Sequence, residues 1–490
     1  MTTKWETVIG LEVHVELSTH TKVWCSCKNE FGAEPNTNVC PVCAALPGAL
    51  PVLNAEALAY TVKTGLALGC EIPHYAKFDR KNYFYPDSPT NYQISQLDLP
   101  LCRNGHVEIT TADGNTKQVR IGRIQLETDA GKLLHAGDDV AEAHSSLVDF
   151  NRAGVPLIEI VSEPDMRSAE EALLYLTKLR AIVKYCGVSD VKMEEGSMRC
   201  DVNISIRPAG AEKYGTRAEL KNVNSFSAVA RGIEYEVRRQ IAILEAGGTV
   251  DQETRSWRDA KGISVTLRSK EEAEDYRYFP EPDLPPIVLT DEEIDRVRQS
   301  LPELPDSIIH RLMNEYGLSA YDASIIVAEK ELAEWFDRAV ALAGAANAKT
   351  VANWQINEVN RVMNLKGLGP DQIPVSPEQV AGMLKLLEKG TISGKIAKTV
   401  FEKMIESGKD AETIVKEEGL TQVADEGELL KIALEIVSAN PKVVEDWKSG
   451  KATAAQWFVG QMMKATRGRA NPQLAMKLVT EALEKFTGQA

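Results

Sequence analysis

Met198–Arg207 alternates without a break, with Met198, Cys200, Val202, Ile204 and Ile206 set against Arg199, Asp201, Asn203, Ser205 and Arg207. Only an extended strand sends successive side chains to opposite faces, so this segment is a strand with one apolar and one polar side. The same period recurs in Leu11–Leu17, where Glu12, His14 and Glu16 share a face. It recurs again in Ile121–Glu127, where Arg123, Gln125 and Glu127 oppose Ile124 and Leu126. Glu159 stands alone inside the apolar run Pro156–Val161. An antiparallel sheet with one wet face accounts for any single strand of this kind. Asp and Asn are poor strand formers, however, and a carboxylate enclosed by Leu, Ile and Val is costly to bury without a cation. Carboxylates and a His converging on one sheet face suit a hard divalent ion, with Arg and Lys nearby for phosphate. A Mg²⁺–nucleotide site is therefore expected beside the simpler reading of a solvated face.

The alternating patterns, with Gly, Pro and Asn, occupy residues 1 to about 293 and predict a β-rich α+β domain. Two helices interrupt them. One spans 168–187, with Leu173, Leu176, Leu179, Ile182 and Val183 at helical spacing and Ser168 with Glu171 as a capping box; the other spans about 225–246. The segment 275–289, which carries Pro280, Pro282, Pro285 and Pro286, reads as a stiff connector. Beyond it the pattern is helical, with caps at Thr290, Ser319 and Ser376. Breaks at 367–377 and 406–428 suggest two all-α modules, giving the domains 1–293, 294–408 and 409–490.

Four of the eight cysteines fall within 19 positions, as Cys25-Ser-Cys27 and Cys40-Pro-Val-Cys43. Two close pairs joined by a short loop can set four thiolates around zinc, and four thiolates leave no position open for chemistry, so the expected Zn²⁺ is structural. Cys70, Cys102, Cys186 and Cys200 are scattered and read as core residues. The 490-residue chain carries a formal charge of −15, so any nucleic-acid contact must come from a local basic patch. Residues 451–490 supply one, with Lys464, Arg467 and Arg469 around a Gly-bearing turn. Lys77–Asp87 mixes cations and aromatics and could receive a nucleotide or a tRNA end. No apolar stretch is long enough to span a membrane, and the first residues lack a signal pattern, so a cytoplasmic protein is expected. P-loop, Rossmann, GxSxG and HExxH motifs are absent.

Several long strings resemble one family along nearly the whole chain and in the same order. They are WETVIGLEVHVEL (5–17), KFDRKNYFYPD (77–87), VDFNRAGVPLIEIVSEPD (148–165), SDVKMEEGSMRCDVNIS (189–205), ELKNVNSF (219–226), DYRYFPEPDLPP (275–286), GKIAK (394–398) and FVGQMMKATRGRANP (458–472). By these the chain is identified as a member of the B-subunit family of the bacterial aspartyl/glutamyl-tRNA(Asn/Gln) amidotransferases. The resemblance implies a β-rich cradle with a mostly antiparallel sheet, a helical domain, and a helical tail that touches tRNA through Lys464, Arg467 and Arg469. It implies an ATP- and Mg²⁺-dependent carbon–nitrogen ligase that phosphorylates the side-chain carboxylate of mischarged Glu-tRNA(Gln) or Asp-tRNA(Asn). Ammonia from an amidase-type A subunit then completes the amide, with a small C subunit completing a heterotrimer. Glu12, His14, Glu127 and Glu159 fall on the family's metal positions, with Arg199, Asp201 and Asn203 as phosphate and metal shell and Lys81 and Arg199 as cofactor contacts. In Gln125–Gly131 the chain departs from relatives, which often carry a His and a second Glu there, although Glu127 is kept. Many relatives also lack the four cysteines, which agrees with a structural zinc. A noncatalytic tRNA-binding scaffold is the alternative.

Overall fold

The computed structural model describes residues 4–135, 145–269, 275–421, 426–466 and 470–488. The chain divides into two compact units, Met1–Pro305 and Asp306–Ala490.

The first unit is α+β. Its strands are β1 (Trp5–Glu16), β2 (Tyr75–Ala76), β3 (Asp79–Asn82), β4 (Tyr92–Ser95), β5 (Cys102–Thr110), β6 (Thr116–Thr128), β7 (Lys132–His135) and β8 (Ser146–Asp149). They continue with β9 (Pro156–Ser162), β10 (Met198–Pro208), β11 (Ala218–Lys221), β12 (Glu253–Arg258), β13 (Ile263–Ser269), β14 (Phe279–Pro280) and β15 (Ile287–Val288). Its helices are α1 (Ala55–Ala67), α2 (Ala169–Cys186), α3 (Phe226–Glu245) and α4 (Asp291–Gln299). The main sheet runs β13-β12-β11-β10-β1-β9-β6-β5. Its pairings among the described residues are antiparallel except β11–β12, which α3 joins by a crossover, as parallel neighbours require.

All alternating strands obey one phase. Val13 and Val15 of β1, Ile158 and Ile160 of β9, and Cys200, Val202 and Ile204 of β10 are buried in a single core. That face is covered by α1 and α2 on β5, by α1 on β6 and by α3 on β10. Ser168 caps α2 by accepting from Glu171 N at 3.1 Å. The expected capping box is only half formed, because the Glu171 carboxylate accepts from Arg167 N at 2.7 Å, one residue further back. Cys70, Cys102, Cys186 and Cys200 are buried, as a core role requires.

A β-bulge keeps β6 in phase. Its register on β9 skips Gly122, so Val119 and Ile121 before the bulge and Ile124 and Leu126 after it all reach the core. The extra residue thereby turns Gln125 and Glu127 onto the open face. Glycine suits this position, since a Cβ there would lie 2.7 Å from Glu163 Oε1.

The proline-rich segment 275–289 is not a free connector. Its residues pair back as β14 on β3 and β15 on β2. Arg80 clamps it, donating to both carboxylate oxygens of buried Glu281 at 2.7 and 2.8 Å and to Asp283 at 2.9 Å, while stacking on the Tyr92 ring. Prolines tolerate such short edge pairings because few backbone donors are needed. The first unit ends at Pro305 rather than at residue 293 because Thr290 caps α4 in a full capping box and Ile294 enters the first core.

The second unit is all helical: α5 (Pro305–Tyr316), α6 (Ala320–Val327), α7 (Lys330–Ala343), α8 (Ala348–Trp354), α9 (Asn360–Lys366), α10 (Pro377–Glu388), α11 (Gly394–Ser407) and α12 (Ala411–Glu417), then α13 (Glu426–Ala439), α14 (Pro441–Lys448), α15 (Ala452–Ala465) and α16 (Pro472–Thr487). Ser319 and Ser376 cap α6 and α10 as expected. The GKIAK string opens α11, where Ile396 and Ala397 are buried and Lys398 pairs with Glu358 at 2.6 Å. α12 packs on α10 and α11, so it belongs with them rather than with the tail that was expected to begin at residue 409. From α13 onward the helices share a separate cluster built on Leu429, Phe458, Met462 and Leu478.

No helix among the described residues is long and apolar enough to cross a membrane. The Arg80 clamp yields a prediction. Glu281→Ala should destabilise the first unit by about 3 kcal/mol, near the low end for a broken buried pair because Arg80 keeps Asp283 and some solvent. Urea unfolding followed by the fluorescence of the unit's tryptophans checks this, and a midpoint equal to wild type contradicts it.

Candidate functional site

The uncovered face of the main sheet carries the polar residues of five adjacent strands. In register, Glu12 of β1 lies beside Asp201 of β10, His14 beside both Arg199 of β10 and Glu159 of β9, and Gln125 of β6 beside Glu159. One ligand atom from each of His14, Glu127 and Glu159 lies within 4.8 Å of the others. His14 Nε2 is 3.8 Å from Glu159 Oε1. Glu127 accepts from Ser95 Oγ at 2.5 Å, Gln125 Nε2 at 2.8 Å and Gln93 Nε2 at 3.0 Å, so β4 orients it from above. Gln125 also donates to Glu159.

The electrostatics are those of crowded, buried acceptors. Burial, reinforced by Glu127 and Glu12, pushes the Glu159 carboxyl up to about 8. Burial pushes His14 down despite the Glu127 and Asp201 carboxylates, leaving a neutral imidazole with a lone pair to offer. Burial opposes the charge on Lys81, but Glu127 foremost, with Glu159 and two tyrosines, holds its ammonium above the ordinary value. The donor set of one imidazole and oxygen ligands fits a hard divalent cation.

A cavity of about 350 Å³ opens on this cluster, lined by Glu12, His14, Gln125, Glu159 and Asp201. Lys81, Arg123, Arg217 and Lys221 bring positive charge to it, and Tyr276 and Tyr278 supply aromatic rings. Lys81 lies 4.9 Å over the Tyr276 ring. A larger cavity of about 1280 Å³ shares His14, Asp201 and Lys221 with it and continues past Glu16, Asp129, Lys132, Arg152 and Arg199.

The expected residues divide between these spaces. Glu12 lines the smaller cavity but stands outside the three-ligand cluster, with its Oε1 held by Asn203 Nδ2 at 2.9 Å. Asp201 is bonded to Lys221 at 2.7 Å. Arg199 is not brought to the cluster; its guanidinium pairs with Asp129 at 2.5 Å, in the larger cavity. Of the three cations in 77–87 only Lys81 lines the smaller cavity. Lys77 pairs with Asp79 and Asp98, Arg80 clamps Glu281, and Phe78 is core.

Lys221, Glu219 and Asp129 went unread as site residues. Glu219-Leu-Lys221 shows the same period of two, but over a strand too short for the pattern to stand out. Asp129 is buried, yet Arg199 and Arg152 hold it below the ordinary carboxylate value. Neighbouring Glu16 is pushed up to about 8 by burial and then by Asp129, to which it hydrogen-bonds.

The four-cysteine knot also closes. Its sulfurs lie within 4.8 Å of one another, with Cys43 Sγ 4.0 Å from Cys27 Sγ and 3.9 Å from Cys40 Sγ. Tetrahedral zinc with bonds of about 2.3 Å needs sulfurs roughly 3.8 Å apart, so this donor set fits that metal. Cys40 N donates to Cys43 Sγ at 3.2 Å. A hydrogen bond from Cys25, with lesser help from Lys22, lowers Cys43 to about 4.

Lys464 is exposed near the end of α15, whereas Arg467 and Arg469 lie outside the described residues.

The open face of the sheet thus brings an imidazole and two carboxylates together in a geometry that could hold a metal ion. Residues 7–295 match the family described as the GatB/GatE catalytic domain, and residues 334–483 match the GatB domain. The B subunit of an aspartyl/glutamyl-tRNA(Asn/Gln) amidotransferase from Symbiobacterium thermophilum is 76% identical over 99% of both chains. The proteins of that name from Carboxydothermus hydrogenoformans and Thermoanaerobacter pseudethanolicus are 56% and 55% identical, over 99% and 98% of this chain and the whole of theirs. The chain belongs to this family of amidotransferase B subunits.

The raised Glu159 predicts a pH dependence. Folding of the cation-free chain favours its protonated form, so its contribution to stability is complete below about pH 4.5 and is lost as pH rises through about 8. Thermal melts across that window without divalent ions should show wild type losing stability that Glu159→Gln retains. Parallel profiles contradict the assignment.

Proposed function

We propose that the chain is the tRNA-dependent kinase and transamidase component of a multi-subunit, ATP-consuming carbon–nitrogen ligase. A carboxylate cannot be amidated directly, because oxide is too poor a leaving group. The side-chain carboxylate of Glu-tRNA(Gln) or Asp-tRNA(Asn) therefore attacks the γ-phosphorus of ATP. The bond to the bridging oxygen breaks, and ADP leaves. Ammonia attacks the acyl carbon of the resulting acyl phosphate; inorganic phosphate departs, and nitrogen loses a proton to leave the amide. An amidase-type A subunit working on glutamine is the proposed ammonia source, with a small C subunit completing the heterotrimer.

The observation that carries this reading is the convergence of His14, Glu127 and Glu159 beneath a cation-rimmed cavity. These residues, with Glu12, would hold Mg²⁺, which when bound neutralises phosphate charge. Lys81, Arg123, Arg217 and Lys221 attract phosphate oxygens from the walls, and such positioning is most of what phosphoryl transfer asks of a protein. Arg199, in the larger cavity, meets the aminoacyl end rather than the nucleotide. Asp201 and Asn203 act by orienting Lys221 and Glu12. The depth of the face keeps water from the acyl phosphate. Zinc in the cysteine knot has a structural role.

Within the assembled complex, Glu12→Gln and Glu159→Gln should each lower Glu-tRNA(Gln)-dependent ADP formation by roughly 10²-fold, the scale of one missing transition-state interaction. tRNA affinity should hold within about twofold. Unchanged ATP turnover with tRNA still bound would establish the scaffold reading instead.

The tail from α13 onward, with Lys464, Arg467 and Arg469, is the proposed tRNA contact. Replacing all three by Ala should weaken tRNA binding and flatten its salt dependence by roughly 0.7–0.9 in log–log slope for each phosphate no longer neutralised. Filter binding over a salt series reads this, and an unaltered slope removes these residues from the interface.

A further inference from the structure

Lys22 is fully buried, which is rare for a lysine without an ionic partner. Its ammonium donates to Asn38 O at 2.8 Å, to Phe150 O at 3.2 Å and to Cys43 Sγ at 3.5 Å. All three N–H groups are thus used, and no carboxylate of the described residues pairs with it. Two carbonyl dipoles do not compensate a buried unit charge. A metal-loaded knot does, since four thiolates around a divalent ion carry a net charge of −2, which is itself expensive to enclose. Lysine and loaded knot therefore each supply the charge the other lacks.

Lys22 also links the knot to the functional face. Phe150 precedes Asn151 and Arg152, which line the larger cavity, and Arg152 Nε lies 3.7 Å from Asp129. Gly154, at φ +89°, closes the turn against Lys22; a Cβ there would lie 3.5 Å from Lys22 Cδ and 3.6 Å from Cys43 Cβ.

We propose that Lys22 is the charge partner of the metal-loaded cysteine knot, and that through Phe150 it ties metal occupancy to the wall of the larger cavity. It is a positioning residue, acting through the knot and the 150–154 turn. A lysine that merely fills space would matter equally with and without metal, whereas a charge partner matters chiefly when the metal is bound.

The test uses the full chain loaded with Zn²⁺. Release to excess chelator is followed with a colorimetric zinc indicator, and melting temperatures are compared for loaded and stripped protein. Lys22→Met should release zinc at least about tenfold faster than wild type, and its zinc-induced rise in melting temperature should shrink. Lys22→Gln, which keeps N–H donors without charge, should resemble Lys22→Met. Lys28→Met, which alters an exposed lysine of the same loop, should match wild type. Hydrogen exchange of 149–155 should quicken on stripping zinc from wild type. Wild-type release from Lys22→Gln, or equal zinc-induced rises in all variants, overturns the charge partnership. Should Lys22→Met not fold, Lys22→Gln alone decides that part. Exchange in 149–155 that is indifferent to zinc overturns the link to the cavity.

Discussion

The antiparallel seating of β1 between β9 and β10 is the constraint on which the rest depends. Register there is exact to one residue, because a slip of one would put Glu12, His14 and Glu159 into the helix-packed core and Val13 and Val15 onto the open face. The cost of burying those charged groups is far larger than any gain from alternative pairing. Hydrophobic burial against α1–α3 thus places the ligand atoms on the opposite face. Stability and chemistry are set by one choice of phase, and the bulge at Gly122 extends that phase to Glu127.

The open face crowds buried carboxyl groups beside cations. Glu159 is pushed towards neutrality, Glu16 leans on Asp129, and Lys81, Arg123 and Lys221 gather opposite them. This mixture of acceptors and cations is what supports the proposed Mg²⁺–phosphate reading. At the cysteine knot, the buried Lys22 ammonium donates to Cys43 Sγ.

The two cavities meet at His14, Asp201 and Lys221. A phosphoryl donor in the smaller and an acyl acceptor in the larger would face each other across that border. Arg199, expected in the phosphate and metal shell, has its guanidinium on Asp129 in the larger cavity. The short strands β3 and β4 bring Lys81 to the smaller space and set Gln93 and Ser95 on Glu127. They hold that position because Arg80 anchors them to Glu281 from a segment some two hundred residues away.

Much of this was legible in the sequence. Period-two alternation sorts Glu12, His14, Glu127, Asp201 and Asn203 onto one side of their strands, since strand geometry is local, and Glu159 stands out as the one charge in an apolar run. Cysteine spacing marks a metal knot, and caps at Thr290, Ser319 and Ser376 mark helix starts, for the same reason. Pairing order, register and side-chain direction are not local. Only the tertiary structure decided that Asn203 holds Glu12, that Arg199 turns away to Asp129, that Lys221 joins the site, and that the proline-rich stretch folds back as β14 and β15. Those outcomes depend on which charges meet across strands distant in the chain, and no pattern within one segment encodes its partner.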